Sequence, residues 1–372
     1  MRWIAILWLL TVILFPLPAV TRVEQGQHRS GAPAPGVTVP FLGTVARDPE
    51  TPAYASLAGQ RERISRYGIR WVSVWGDFES NYLLAHDVEQ LVTAGARVVV
   101  VRLGAAAPGC PTAEERSRGL QNTRVPVSAR YAIARLELVR EDGASLAQVL
   151  AALLSRYPDL SIVLQLGNEP DIEFDADCDG VYAQPAFGFP GGDRDDLLAY
   201  ADLVARQASL LRRYAHRRFP HPERVYITAG TISARPGVDP ELVDLLFSAP
   251  AFRTLDGYAI NVYGDWEIGA EQHEAVRRLA AHGDGLLYVG EQGIAACFPE
   301  KGARHREVMD RYPDEITAVL LFTLGYWNHP EQDFAGCRGG DRYRNPFDEH
   351  GYAVKSYVLD DAVLAAVTTG GT

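Results

Sequence analysis

Two glutamates in this chain stand where paired-carboxylate chemistry would put them. Glu169 closes the run Ser161-Ile162-Val163-Leu164-Gln165-Leu166-Gly167-Asn168-Glu169-Pro170, and Glu291 sits at the end of Val289-Gly290-Glu291-Gln292-Gly293. The first run is apolar almost to its tip, the pattern of a strand covered on both faces. A carboxylate just past the carboxyl end of a buried parallel strand occupies the position where α/β barrels keep their chemistry. Two such carboxylates facing each other across a cleft can divide the work of breaking a glycosidic bond. One protonates the leaving oxygen while the other attacks carbon or activates water, and at about 5 Å separation the second is a nucleophile.

The elements that must position them alternate regularly. Hydrophobic patterning and turn residues predict strands over 37–43, 69–75, 96–103, 161–166, 224–230, 255–263, 286–291 and 316–324. Helices are expected over 55–67, 86–94, 145–157, 193–218, 240–247, 271–282, 304–311 and 352–367, with Gly68 and Gly95 ending the first two. The stretch 131–139 reads as either a hairpin or a helix. Eight strands, each followed by a helix, imply a single-domain α/β fold, a (β/α)8 TIM barrel over 37–372. In that register the fourth strand ends at Glu169 and the seventh at Glu291, so both glutamates project from one face of the barrel.

The totals are consistent with one large domain. The chain has 372 residues, 47% of them hydrophobic, and a net charge of −11 with no basic run, which excludes nucleic acid as the expected partner. Residues 1–20 have a basic start and an apolar core, the pattern of a secretory signal or a retained N-terminal membrane anchor, and 21–36 read as a flexible linker. Either way the expected location is secreted or extracytoplasmic. Cys110, Cys178, Cys297 and Cys337 allow three pairings and lack zinc-ligand spacing. Each falls on a loop after a strand, and pairing neighbouring loops gives Cys110 with Cys178 and Cys297 with Cys337 as expected disulfides. The segment Asp175-Ala176-Asp177-Cys178-Asp179-Gly180 is like the first half of a calcium loop, but Ala186 stands where the bidentate Glu would be. A solvated acidic rim is therefore expected there, with no metal assigned.

Asn168-Glu169-Pro170 after the fourth strand, matched to Glu291 on the seventh, resembles the retaining glycoside hydrolases of clan A, the cellulase-like and xylosidase-like (β/α)8 families. The resemblance spans the whole expected barrel. It implies that Glu169 is the acid/base, Glu291 the nucleophile, and Asn168 the partner of the sugar hydroxyl beside the anomeric carbon. Tyr263, in Asn261-Val262-Tyr263-Gly264, matches a tyrosine that orients the nucleophile, and Trp327 matches the aromatic floor under the reacting sugar. Asn261 and Trp75 join the candidate substrate contacts. Two positions depart from the family pattern: the strand-two Arg that supports the nucleophile is replaced by Ser73, leaving Arg102 on strand three either as its substitute or as a barrel-lining Arg paired with a core carboxylate, and Asn261 stands where a His is common. The resemblance implies a monomer that acts on an oligo- or polysaccharide without metal or organic cofactor. The alternative is a carbohydrate-binding barrel that has lost turnover.

Overall fold

The computed structural model describes residues 33–40, 57–75, 81–103, 130–137, 143–177, 179, 181–185, 190–264, 267–294, 300–322, 359 and 361–368. Trp327, the four cysteines and residues 1–32 lie outside these, as does the side chain of Trp75.

Eight strands close into one parallel barrel in sequence order. They are β1 Ala34–Pro40, β2 Trp71–Trp75, β3 Val98–Arg102, β4 Ser161–Leu166, β5 Val225–Ala234, β6 Gly257–Gly264, β7 Leu286–Ile294 and β8 Ile316–Phe322. The described helices are α1 Leu57–Arg66, α2 Asn81–Ala94, α3 Tyr131–Glu137, α4 Leu146–Arg156, α5 Pro170–Glu173, α6 Asp195–Arg218, α7 Glu241–Ser248, α8 Ala270–His282, α9 Glu300–Met309 and α10 Asp361–Thr368. Among the described residues no helix is long and apolar enough to cross a membrane. The (β/α)8 reading therefore holds. β1 begins at Ala34, so the barrel takes three residues from the expected linker, and the ambiguous segment near 131 is a helix.

Strand parity builds two cores from one set of strands. Successive side chains point to opposite faces. Val98, Val100, Val163, Leu286, Tyr288 and Leu320 fill the barrel interior together with Trp71. Their neighbours Val99, Val101, Ile162, Leu164, Leu287 and Leu321 pack outward against the helices. A strand buried on both faces must be apolar at both parities, which is why β3 reads as a run of valines.

Local signals set the helix boundaries. Gly95 directly after α2 and Gly68 two residues past the end of α1 adopt positive φ, 129° and 61°. After α1, the Ile69 amide donates back to the Ile64 carbonyl at 3.0 Å, closing the last turn. α4 starts with a capping box: Gln148 N–H donates to Ser145 Oγ at 3.3 Å, and Ser145 N–H donates to Gln148 Oε1 at 2.7 Å. α6 carries Asp195 and Asp196 in its first turn and His216, Arg217 and Arg218 in its last, the charge order that the helix dipole favours.

Candidate active site

Inward parity brings Ser73 and Arg102 to the carboxyl-terminal mouth, above Trp71 on β2 and above Val98 and Val100 on β3. Beneath them Tyr288 Oη donates to Gln165 Oε1 at 2.8 Å and lies 2.9 Å from Thr228 Oγ1, closing the barrel floor. Gln165 Nε2 donates in turn to the Gly167 carbonyl at 2.9 Å, which holds the end of β4.

Glu291 would point out of the barrel if β7 kept its alternation, because Leu286 and Tyr288 face inward. A bulge changes this. Ile260 aligns with Val289 but Asn261 aligns with Glu291, so β7 has one extra residue at Gly290. The extra residue flips parity and turns Glu291 into the mouth. Gly290 has no room for a side chain: a Cβ there would lie 2.9 Å from Asn261 Oδ1 and 3.3 Å from Ala259 Cβ. Its carbonyl accepts from Arg102 Nη2 at 2.8 Å and Thr38 Oγ1 at 3.2 Å. β5 has a similar one-residue shift between Gly230 and Ser233, which turns Ser233 toward Glu169.

At the tip of β4, Gly167 takes φ of 67° with Tyr200 Oη only 2.6 Å from where a Cβ would stand. Tyr200 Oη reaches the Leu166 and Gly230 carbonyls at 2.8 and 3.0 Å, fastening β4 to β5. The chain then turns into α5, whose Ile172 and Glu173 amides donate to the Glu169 carbonyl at 3.0 and 2.8 Å.

A continuous hydrogen-bond chain links the two glutamates. Asn261 Nδ2 donates to Glu169 Oε1 and to Asn168 Oδ1, both at 3.1 Å. Asn168 Oδ1 also accepts from Arg102 Nη1 at 3.0 Å, and the same nitrogen forms an ion pair with Glu291 Oε1. Ser73 Oγ accepts from Arg102 Nε at 3.0 Å. Arg102 on β3 thus pairs with Glu291 on β7 and is anchored by Ser73 on β2. Both Arg102 and Glu291 are buried. Burial pushes the Glu291 carboxyl up to about 7; Arg102 pulls it down and the charge of Glu169 adds to the rise.

Glu169 is enclosed by donors. Ser233 Oγ donates to its Oε1 at 2.7 Å and Arg235 Nη2 to its Oε2 at 3.0 Å. Arg235 Nε donates to Ser233 Oγ at 2.7 Å, and the guanidinium lies 5.3 Å from the Tyr263 ring centroid. Two further carboxyls crowd Glu169. Asp171 is fully buried and accepts from Ser233 N–H at 2.8 Å and Gln184 Nε2 at 2.5 Å; burial, then the charge of Glu169, push it up to about 7. Glu173 accepts from Asn168 Nδ2 at 3.2 Å and Glu169 N–H at 3.4 Å. It is reached by solvent but stands among the walls of the mouth. Loss of surrounding water there, then the charge of Glu169, raise it to about 8.

The structure therefore brings together Glu169, Glu291, Asn168 and Asn261. Asn261 is buried and spends its amide between Asn168 and Glu169, which makes it a positioning group. Tyr263 faces Arg235 and, at 6.0 Å between ring centroids, Phe322. Of Trp75 the structure gives the strand position, opposite Pro40. Sequence reasoning missed Ser233 and Arg235, because it ended β5 at residue 230, before the bulge. It also missed Asp171 and Glu173, although Glu173 follows Glu169 at the spacing of one helical turn. The solvated rim expected around Asp175 holds for Asp177 and Asp179, which are exposed, and fails for Asp175, which is buried.

Fold and site together define a (β/α)8 barrel whose mouth, among the described residues, brings together the carboxyls of Glu169, Asp171, Glu173 and Glu291 with Arg102 and Arg235. No family model and no curated protein matches the sequence. Solved structures do resemble it. A GH5 cellulase from an Icelandic hot spring isolate is 15% identical, with 92% of this chain and 89% of that one covered and a TM-score of 0.49. A glycoside hydrolase family 5 enzyme from Prevotella bryantii is 11% identical, with 94% and 99% covered and a TM-score of 0.48. A GH5_18 protein from Bifidobacterium longum, in complex with Manβ1-4GlcNAc, is 13% identical, with 91% and 77% covered and a TM-score of 0.48.

Proposed function

We propose that this chain is an exported glycoside hydrolase that cleaves a β-linked saccharide by retaining double displacement. The observation that carries the reading is the joining of Glu169 and Glu291, from the tips of β4 and β7, through Asn261, Asn168 and Arg102. Arg102 favours the carboxylate that Glu291 needs as nucleophile. Glu291 attacks the anomeric carbon while Glu169 protonates the leaving oxygen. Glu169, now a carboxylate, then takes a proton from the water that releases the glycosyl-enzyme. Asn168 presents its amide toward the mouth, where a hydroxyl of the reacting sugar takes the place that Glu173 Oε1 holds in the resting site. Arg235, whose side chain is 38% exposed, must swing off Glu169 Oε2 for the acid step.

That contact also favours a second reading, a saccharide-binding barrel without turnover, because both Glu169 oxygens are engaged by donors. A screen of aryl glycosides and polysaccharides separates the two. The hydrolase reading expects turnover in the wild type and a fall of about 10²–10⁴-fold in Glu169→Gln. Glu291→Gln should be inactive, and azide should rescue Glu291→Ala with inverted product. Saccharide binding with no turnover under any condition would establish the second reading instead.

A further inference from the structure

Glu169 rests with a cation on the oxygen that acid catalysis must use. Its Oε1 accepts from Ser233 Oγ at 2.7 Å and from Asn261 Nδ2 at 3.1 Å, and all three residues are buried. Ser233 Oγ itself accepts from Arg235 Nε at 2.7 Å, so its one proton goes to Glu169. A proton bound for a leaving oxygen is therefore carried on Oε2, where Arg235 Nη2 donates at 3.0 Å. A guanidinium is all donor, so a protonated Oε2 and Arg235 Nη2 would meet hydrogen to hydrogen. The backbone of Arg235 is held in place: its carbonyl accepts from Val238 N–H at 3.0 Å across a turn whose Gly237 has φ of 83°. Its side chain is part-exposed and lies over the half-buried Tyr263 ring. The swing that frees Oε2 is a side-chain motion within the mouth, and it breaks an ion pair.

We propose that the saccharide taken by this site is anionic, and that a uronate carboxylate on its leaving side draws Arg235 off Glu169. The inference rests on the glycosidase reading and names its substrate class. Because Oε2 serves the leaving oxygen, the guanidinium beside it stands where the departing sugar sits. A ligand shifts an equilibrium only by its differential affinity for the two states. A neutral sugar offers Arg235 hydroxyls in exchange for an ion pair, and hydrogen bonds between charged groups are the stronger kind. A carboxylate replaces one ion pair with another and matches the planar fork with two parallel N–H···O bonds. Oε2 then takes one proton from solvent and gives it to the leaving oxygen. Arg102, the other arginine described at the mouth, is buried and bound to Glu291, Asn168 and Ser73. Glu173, raised to about 8, keeps its proton at neutral pH and does not repel an anion.

The test uses the full chain and matched probes: a β1-4-linked glucuronate tetrasaccharide and cellotetraose, which differ only in carboxylate against hydroxymethyl, and the same pair in the manno and galacto series. In the series that fits the cleft, calorimetry should show the uronate bound about tenfold more tightly by the wild type and within about twofold of the neutral sugar by Arg235→Met. The ratio of kcat/KM values should follow the same pattern. Equal binding within every pair, absence of binding included, would overturn the proposal, as would a preference that survives Arg235→Met. Cellotetraose sulfated at O6 and bound as tightly as the uronate would overturn the choice of a carboxylate. Turnover that does not favour the uronate keeps the glycosidase reading and rejects this one. Preferential binding of the uronate without turnover does the reverse.

Discussion

Replacing Arg102 by Met would remove the cation that opposes burial at Glu291. The Glu291 carboxyl then rises further, and a reaction that needs it ionised loses its low-pH activity. The acid limb of the kcat/KM profile should move up by about one unit or more. Removing one partner of a buried pair also costs stability, because the other is left buried and unpaired. Arg102→Met with Glu291→Gln should therefore cost less than the sum of the two single changes, by about 1–3 kcal/mol in a double-mutant cycle from urea unfolding. Additive losses would mean that the ion pair carries no coupling. At this scale the sequence was partly legible. Glu169, Glu291 and Asn168 could be found from residue type and strand position, and Arg102 could be named as a candidate. Its pairing with Glu291 followed only from the family resemblance, because a guanidinium reaching from β3 to β7 crosses the barrel and leaves no local trace.

Two bulges decide which side chains reach the mouth. Without the extra residue at Gly290, Glu291 would share the outward face of Leu287 and Val289. Gly290→Ala puts a methyl against Asn261 Oδ1 and Ala259, and the carbonyl held by Arg102 and Thr38 limits how far the backbone can yield. We expect a loss of about 1–3 kcal/mol and a fall in kcat larger than the folded fraction explains, measured by urea unfolding and initial rates. Wild-type stability with wild-type kcat would show that β7 accommodates the change. Helix starts and stops were readable because Gly68, Gly95 and the Ser145–Gln148 box act within a few residues. The bulges were not, since a register shift is a relation between two strands and Thr231-Ile232-Ser233-Ala234 carries no local mark of one. That is why Ser233 and Arg235 were missed.

Over the whole molecule the site's carboxyls link stability to pH. Asp171 and Glu291 both have folded pKa values of about 7, above the ordinary carboxyl range. The folded state therefore holds protons that the unfolded chain has released. The stability these groups contribute is fully present below about pH 4 and is lost as pH rises to about 7. For Asp171 the loss is on the order of 4 kcal/mol. Asp171→Asn, which cannot ionise, should flatten the fall in unfolding free energy between pH 5 and 8. An unchanged slope would show that Asp171 does not titrate in this range.

The sequence by itself determined the class of architecture, the two glutamates and the face they share. Alternation of strands and helices, valine runs apolar at both parities, and glycine stops are all local, and eight repeats of one local unit leave few ways to pack. What only the tertiary structure decided is which groups surround those glutamates. Arg102 meets Glu291, and Ser233 and Arg235 cover Glu169, through closure and register shifts. The physical reason is that hydrogen bonds and ion pairs depend on distance in space, and in a closed barrel residues remote in sequence converge on one mouth.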